Sequence, residues 1–164
     1  MGMGEAMDVV KELGRRGLFR EKDLERRGIS HSWMSFFETL YGYVHHGRGV
    51  WSHRSYEPTR YELLAIRFPH AVFWGPSALW LLGELAVEPE ALWIAIDNKA
   101  RVPSTLDPST VILRLRHHKR DAKLFRAPGR VALLIHVLER ARADASGPEV
   151  SRTRARARPR PSTP

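Results

Sequence analysis

Between Gly4 and Arg16 the apolar residues fall at Ala6, Val9, Val10 and Leu13, the i, i+3, i+4, i+7 spacing of a helix with one buried face. Gly17 interrupts the pattern, Leu18 and Phe19 belong in the core, and a short second helix is predicted from about Arg20 to Arg27. Its acids Glu21, Asp23 and Glu25 precede Arg26 and Arg27, the order the helix dipole favours, and Gly28 follows at a left-handed C-cap position. Ser30 then reads as the N-cap of a third helix, His31 to about Tyr41. The tight turn Gly28-Ile29-Ser30 between them has helix-turn-helix spacing. Along the third helix Trp33, Met34, Phe37, Leu40 and Tyr41 form an apolar stripe, while Ser32, Ser35, Phe36 and Thr39 line the opposite face and His31 stands at its start. The following YVHHGRGVWSH reads as two short strands around Gly47-Arg48-Gly49, whose glycines permit the positive φ of a tight turn.

A break at residues 55–58 (Ser-Tyr-Glu-Pro) marks a linker. Pro58 suits the first turn of a helix to about Arg67, with Tyr61, Leu64, Ala65 and Phe68 on one face, and Pro69 ends it. Val72, Phe73 and Trp74 lead into Gly75-Pro76-Ser77 and a helix to Leu82 that is apolar nearly all round and therefore buried. Ala91–Ile96 and Val111–Arg116 are the best strand candidates. In the second, Val111, Leu113 and Leu115 are expected to face inward, with Ile112, Arg114 and Arg116 partly wet. A last helix is predicted from near Pro128, with Val131, Leu134, Ile135 and Leu138 as its inward stripe. The strands are too few for a Rossmann or barrel architecture. The expected fold class is α+β, with three parts: a winged helix-turn-helix over residues 1–54, a small α+β domain over 58–145, and a disordered basic tail over 146–164.

Charge sharpens this organisation. The chain of 164 residues carries 27 basic and 18 acidic side chains, a formal net charge of +9. The excess is +2 over residues 1–54, +3 over 55–146 and +4 over 147–164. In that last segment Arg152, Arg154, Arg156, Arg158 and Arg160 alternate with small residues and proline, a composition that cannot bury a core and that can cling to phosphate backbones. Such a balance favours a polyanionic partner. No apolar run reaches the roughly 20 residues of a membrane span, and the N-terminus lacks a secretory pattern, so a cytoplasmic protein is expected. The absence of cysteine removes disulfides, thiol nucleophiles and cysteine-type zinc sites.

For double-stranded DNA the natural reading element is the third helix, whose Ser30, His31, Ser32, Ser35 and Thr39 would lie nearest the bases. Arg26, Arg27 and Arg48 would hold phosphates. His45 and His46 would decorate the wing, where protonation below about pH 6.5 would add positive charge. No Lys or Arg lies between Arg27 and Arg48, so this helix forgoes the bidentate arginine contacts to guanine that are worth about 1–3 kcal/mol each.

The run GLFREKDLERRGISHSWMS followed by GRGVW resembles the winged N-terminal domain of AbiEi-type antitoxins. YELLAIRFPHAVFWGPSALWLLGEL, ALWIAIDNKAR, VILRLR and APGRVALLIHVLERARA are similar, in order and spacing, to the domain that follows in that family. Together these segments cover roughly residues 7 to 143. The resemblance implies a non-enzymatic DNA-binding antitoxin that represses its own operon and counteracts a nucleotidyltransferase-like toxin without a stable protein complex. It also implies a truncated or diverged member.

Two other readings carry chemistry or partners of their own. Asp97-Asn98-Lys99 follows an apolar strand, and an acid and a lysine at a strand end, with Glu84, Glu88 or Glu90 as second acid, can hold magnesium in a nuclease. The same residues also suit an ordinary polar strand exit. A winged helix can instead serve as a protein-interaction module, since fold does not dictate function; Phe36 would centre its patch. The histidine doublets His45-His46 and His117-His118 point to opposite strand faces and match no helical metal motif, so no metal and no cofactor is expected. Ser77 lacks the flanking glycines of a nucleophile elbow, and Trp33, Trp51, Trp74, Trp80 and Trp93 are most simply core residues.

Overall fold

The computed structural model describes residues 2–102, 106–117, 119–120, 122–126 and 132–136. The arginine tail and most of the last predicted helix, including Pro128, Val131 and Leu138, lie outside them, as does His118. The fold is α+β, with five helices and two sheets among the described residues.

The first sheet and three helices form one layer pair. Helix α1 (Met3–Gly14) buries Ala6, Met7, Val10 and Leu13. Strand β1 (Phe19–Arg20), which the sequence pattern did not suggest, leads into α2 (Glu21–Glu25), whose Leu24 is its buried anchor. Helix α3 (His31–Tyr41) has the predicted limits, and Gly42 ends it in the left-handed conformation at φ 68°. The hairpin β2 (Tyr43–His45) and β3 (Val50–His53) follows, giving an antiparallel sheet of order β1-β3-β2. Phe19 pairs with Trp51, and both join Met34, Phe37, Leu24, Ile29 and Tyr43 in one core under the helices.

The apolar stripe on α3 is shorter than its spacing predicts. Met34 and Phe37 are fully buried, but Leu40 and Tyr41 are exposed, because the chain turns at Gly42 and leaves the last helical turn beyond the sheet. Ser30 occupies the N-cap position without a side-chain cap bond; its hydroxyl pairs instead with that of Ser32 at 2.8 Å.

Residues 55–58 do more than link. Gly17 sits at φ +90°, and a Cβ there would come within 2.7 Å of the Tyr56 ring, so only glycine lets that ring close over the end of α1. The Tyr56 hydroxyl donates to Glu62 of α4 (Arg60–Arg67). This helix starts two residues later than Pro58, because Thr59 caps it: the Thr59 Oγ1 accepts from Glu62 N at 3.2 Å, and the buried Glu62 carboxylate accepts from Thr59 N at 3.0 Å.

The second sheet has five strands in the order β6-β5-β4-β8-β7. They are β4 (Val72–Phe73), β5 (Trp93–Asp97), β6 (Val111–Leu115), β7 (Ala122–Arg126) and β8 (Ala132–His136), and α5 (Gly75–Leu81) lies between β4 and β5. The pairs β5/β6 and β4/β8 are parallel, whereas β4/β5 and β7/β8 are antiparallel. One face, with Phe73, Ile94, Ile112 and Leu133, packs with Tyr61, Leu64, Ala78 and Leu79 of the helices; the other, with Val72, Trp74 and Ala95, forms a smaller cluster.

Two expectations are corrected by this sheet. Residues 132–136 are a strand, not part of a helix, since they fill the slot between β4 and β7 and pair with both. In β6 the larger core lies on the Ile112 side, while Leu113 and Leu115 pack on the smaller cluster. Both faces of the strand are therefore covered, and only Arg114 among its five residues is exposed.

Candidate nucleic-acid interface

The surface of α3 that faces away from Met34 and Phe37 carries Ser32, Ser35 and Thr39, all exposed, and His31 is exposed at the start of the helix. Thr39 Oγ1 donates back to Ser35 O at 3.0 Å, which leaves the Ser35 hydroxyl as the less constrained donor on that face. Glu38 and the apolar Leu40 and Tyr41 are exposed on the same helix. Phe36 is half-buried rather than exposed, its ring 6.5 Å from Trp33 and 6.0 Å from Phe37, so it does not offer a free stacking platform.

The turn between β2 and β3 holds three successive residues at positive φ: Gly47 at 83°, Arg48 at 54° and Gly49 at 65°. The flanking glycines absorb most of that geometry, and the Val50 N to Gly47 O bond of 3.1 Å closes the turn. Arg48 is thereby held exposed at the tip. The turn is docked: Glu21 N donates to Gly49 O at 2.7 Å, and the Glu21 carboxylate also meets His31 Nδ1 at the start of α3. Glu21 thus joins the N-termini of α2 and α3 to the hairpin. Arg48 lines one groove with Lys22, Glu21 and Glu25, so acids as well as bases surround the hairpin arginine.

Arg26 and Arg27 are placed differently from one another. Arg26 is highly exposed, 3.3 Å from Asp23. Arg27 reaches back across α1 to Glu12 at 2.6 Å, and Arg16 meets the same carboxylate at 2.6 Å. The Arg27 guanidinium is the chief cause that holds the Glu12 carboxyl below its usual range. Together with Arg20, these arginines line a single groove that contains one acid, Asp23, among its lining residues. Arg16 and Arg20 were not singled out as candidates in the sequence. Only the packing of the α1 end against α2 brings them beside Arg26 and Arg27.

His46 departs from its expected role. Its Nε2 lies 2.8 Å from the buried Ser52 hydroxyl, its ring is half-buried, and its backbone oxygen accepts from Arg67 of α4. Burial first, then the charges of Arg67 and His45, push the His46 pKa down. Protonation of this imidazole therefore needs a lower pH than that of a free histidine. His45 instead stacks on Trp51, with centroids 4.5 Å apart.

At the end of β5, Asp97 Oδ1 accepts from Lys99 N at 2.8 Å, the local turn of a polar strand exit. Glu88 is engaged by Arg60 at 2.7 Å. Among the described residues no three His, Asp or Glu side chains group as metal ligands. The Ser77 hydroxyl is buried and accepts from Trp93 N at 2.9 Å, which ties α5 to β5.

The fold and these surfaces define a mixed α+β protein with a helix-rich first half, tipped by an arginine hairpin, and a five-stranded second half. No family model matches the chain, and no curated protein matches it. Among solved structures the chain is similar to the RV2827C protein from Mycobacterium tuberculosis, with 21% sequence identity, a TM-score of 0.47, and coverage of 68% of this chain and 45% of that one. The chain thus spans less than half the length of that structure. No helix among the described residues is long and apolar enough to cross a membrane.

Proposed function

We propose that residues 1–54 act as a winged helix-turn-helix that binds double-stranded DNA in the cytoplasm, and that the chain is a non-enzymatic repressor of its own operon, an antitoxin of AbiEi type. The observation that carries the DNA reading is the junction at Glu21. Through it the start of α3, the start of α2 and the tip of the hairpin are gathered, so His31, Lys22 and Arg48 can meet one duplex together. Helix α3 adds an uncapped N-terminal turn carrying Ser30 and Ser32, and exposed hydroxyls at Ser35 and Thr39 that suit base edges or phosphates. The antitoxin assignment rests on the sequence resemblance alone. Its partner would be a nucleotidyltransferase-like toxin that is opposed without a stable complex.

Mobility shifts on a duplex from upstream of the gene, with a scrambled duplex as competitor, test this. Arg48→Ala is expected to weaken binding to both duplexes, and Ser35→Ala to erode the preference between them. Specific binding that survives both substitutions would overturn the site assignment. Leu40, Tyr41 and Val44, exposed together at the end of α3 and the start of β2, favour a second reading as a protein-interaction surface. That reading predicts equal affinity for both duplexes in the unmodified protein.

A further inference from the structure

The second half contains a cavity of about 510 Å³ on the helix-covered face of its sheet, at the corner where α4 runs into β4. Its floor is apolar: Ile94, Ile96 and Ile112 from β5 and β6, Phe68 and Ala71 from the corner, and Leu106 from the opposing loop. Its polar lining is lopsided. Arg67, His70, Arg101 and Lys119 contribute cationic or protonatable groups against one acid, Asp97, whose Oδ1 already accepts the Lys99 N–H. No hydrogen bond or ion pair among the described residues engages Arg101, and Lys119 Nζ lies 2.9 Å from His70 Nδ1. The Nε of Arg67 is buried and has no hydrogen-bond partner among the described residues, although the other end of the same guanidinium donates to His46 O. That nitrogen is enclosed by protein, so Arg67 bounds the cavity by position and not as a free donor to its interior.

We propose that this cavity binds a small organic carboxylate with an apolar body, an aryl or medium-chain acyl acid. The volume falls within the roughly 300–1,000 Å³ of small-molecule sites, and an apolar floor with a few convergent cations is the lining such a ligand requires. The chain or ring would cover Ile94, Ile96 and Ile112, and the carboxylate would take Arg101 and Lys119, both exposed at the mouth. Arg67 also holds the backbone of the hairpin at His46, so occupancy would be felt at the surface assigned above to DNA. That second consequence rests on the DNA-binding reading; ligand binding itself does not.

The experiment is calorimetric titration of the full chain with octanoate, with octylamine as the charge-reversed control. One site is expected for octanoate and none for octylamine. Arg101→Gln combined with Lys119→Gln should weaken octanoate by about tenfold or more, the loss of charge-assisted hydrogen bonds. Leu106→Trp, and separately Val102→Trp, both at half-exposed positions, should fill the cavity and abolish binding while the circular dichroism spectrum is kept. Equal binding of octanoate and octylamine, no binding of either, or octanoate binding that persists in both tryptophan variants would overturn the site. Backbone amide exchange at Val50, read with and without octanoate and without DNA, tests the link to the hairpin: slower exchange is expected, and unchanged exchange in the liganded protein refutes it. Failure of the DNA reading would leave all of these outcomes readable.

Discussion

The two faces of α3 can be separated by a pair of substitutions two residues apart. Phe37 is fully buried, with its ring 6.1 Å from Trp33, 5.9 Å from Tyr41 and 6.2 Å from Tyr43. Truncating such a ring to Ala costs about 3–5 kcal/mol through lost transfer energy and the cavity left behind. The aromatic edges around it place Phe37→Ala near the top of that range. For a chain of this size each kcal/mol moves the midpoint by about 2–4 °C, so the expected fall is about 8–20 °C. Ser35 is exposed and its side chain makes no bond that holds α3 in place, while the backbone oxygen that Thr39 uses survives in Ala. Ser35→Ala should therefore change stability by less than about 0.5 kcal/mol. Its effect should fall on DNA, where loss of one hydrogen bond of about 1 kcal/mol gives roughly fivefold weaker binding to the preferred duplex. Urea unfolding followed by circular dichroism gives the first quantity and mobility shifts give the second. The assignment of α3 faces is refuted if Phe37→Ala unfolds within 1 kcal/mol of the parent, or if Ser35→Ala destabilises as much as Phe37→Ala does; both thresholds are set by the same burial estimate of about 3–5 kcal/mol.

Further outcomes follow from buried polar groups. Glu62→Ala would leave the Thr59 N–H and the Tyr56 hydroxyl without their acceptor; about 2–4 kcal/mol of stability is expected to be lost, measurable in the same urea titration, with Glu62→Gln costing less because it retains an acceptor oxygen. His46 has its pKa pushed below the unfolded value, so the unfolded chain binds the proton more readily. Its contribution to stability is complete above about pH 6.5 and declines as pH falls below that value. Thermal midpoints measured from pH 7.5 down to 5.5, values chosen to bracket that reference of about 6.5, should therefore fall, and His46→Gln should flatten the fall. An identical slope in the variant would remove His46 as the cause.

Much of the first half was legible along the chain because its elements are local. The start of α3 follows from Ser30 before it, and the buried set Ala6, Val10 and Leu13 on α1 follows from helical spacing. The stripe on α3 misled at Leu40 and Tyr41 because spacing says which side faces a partner layer, not how far that layer extends. Strands β1 and β4, of two residues each, are too short to show alternation, and they form only because β3, β5 and β8 supply their hydrogen bonds. The candidate site divides in the same way. Ser35, Thr39 and Arg48 could be picked out in the sequence, whereas the meeting of His31 with Glu21, and of Arg16 with Arg27 at Glu12, required the helices to be packed.

What the sequence determined by itself was the α+β class, the start of α3 and the glycine-flanked arginine, all set by dihedral preference and periodicity within about a dozen residues. Tertiary structure decided the rest. It made a strand of residues 132–136, since the apolar run of four at 132–135 is equally suited to a buried helix turn and to a strand, and the open slot beside Phe73 settled the choice. It lowered the His46 pKa by half-burying the ring beside Arg67. It also set Ile94, Ile96 and Ile112 beneath Arg101 and Lys119, drawing an apolar floor and a cationic mouth from segments that lie far apart along the chain.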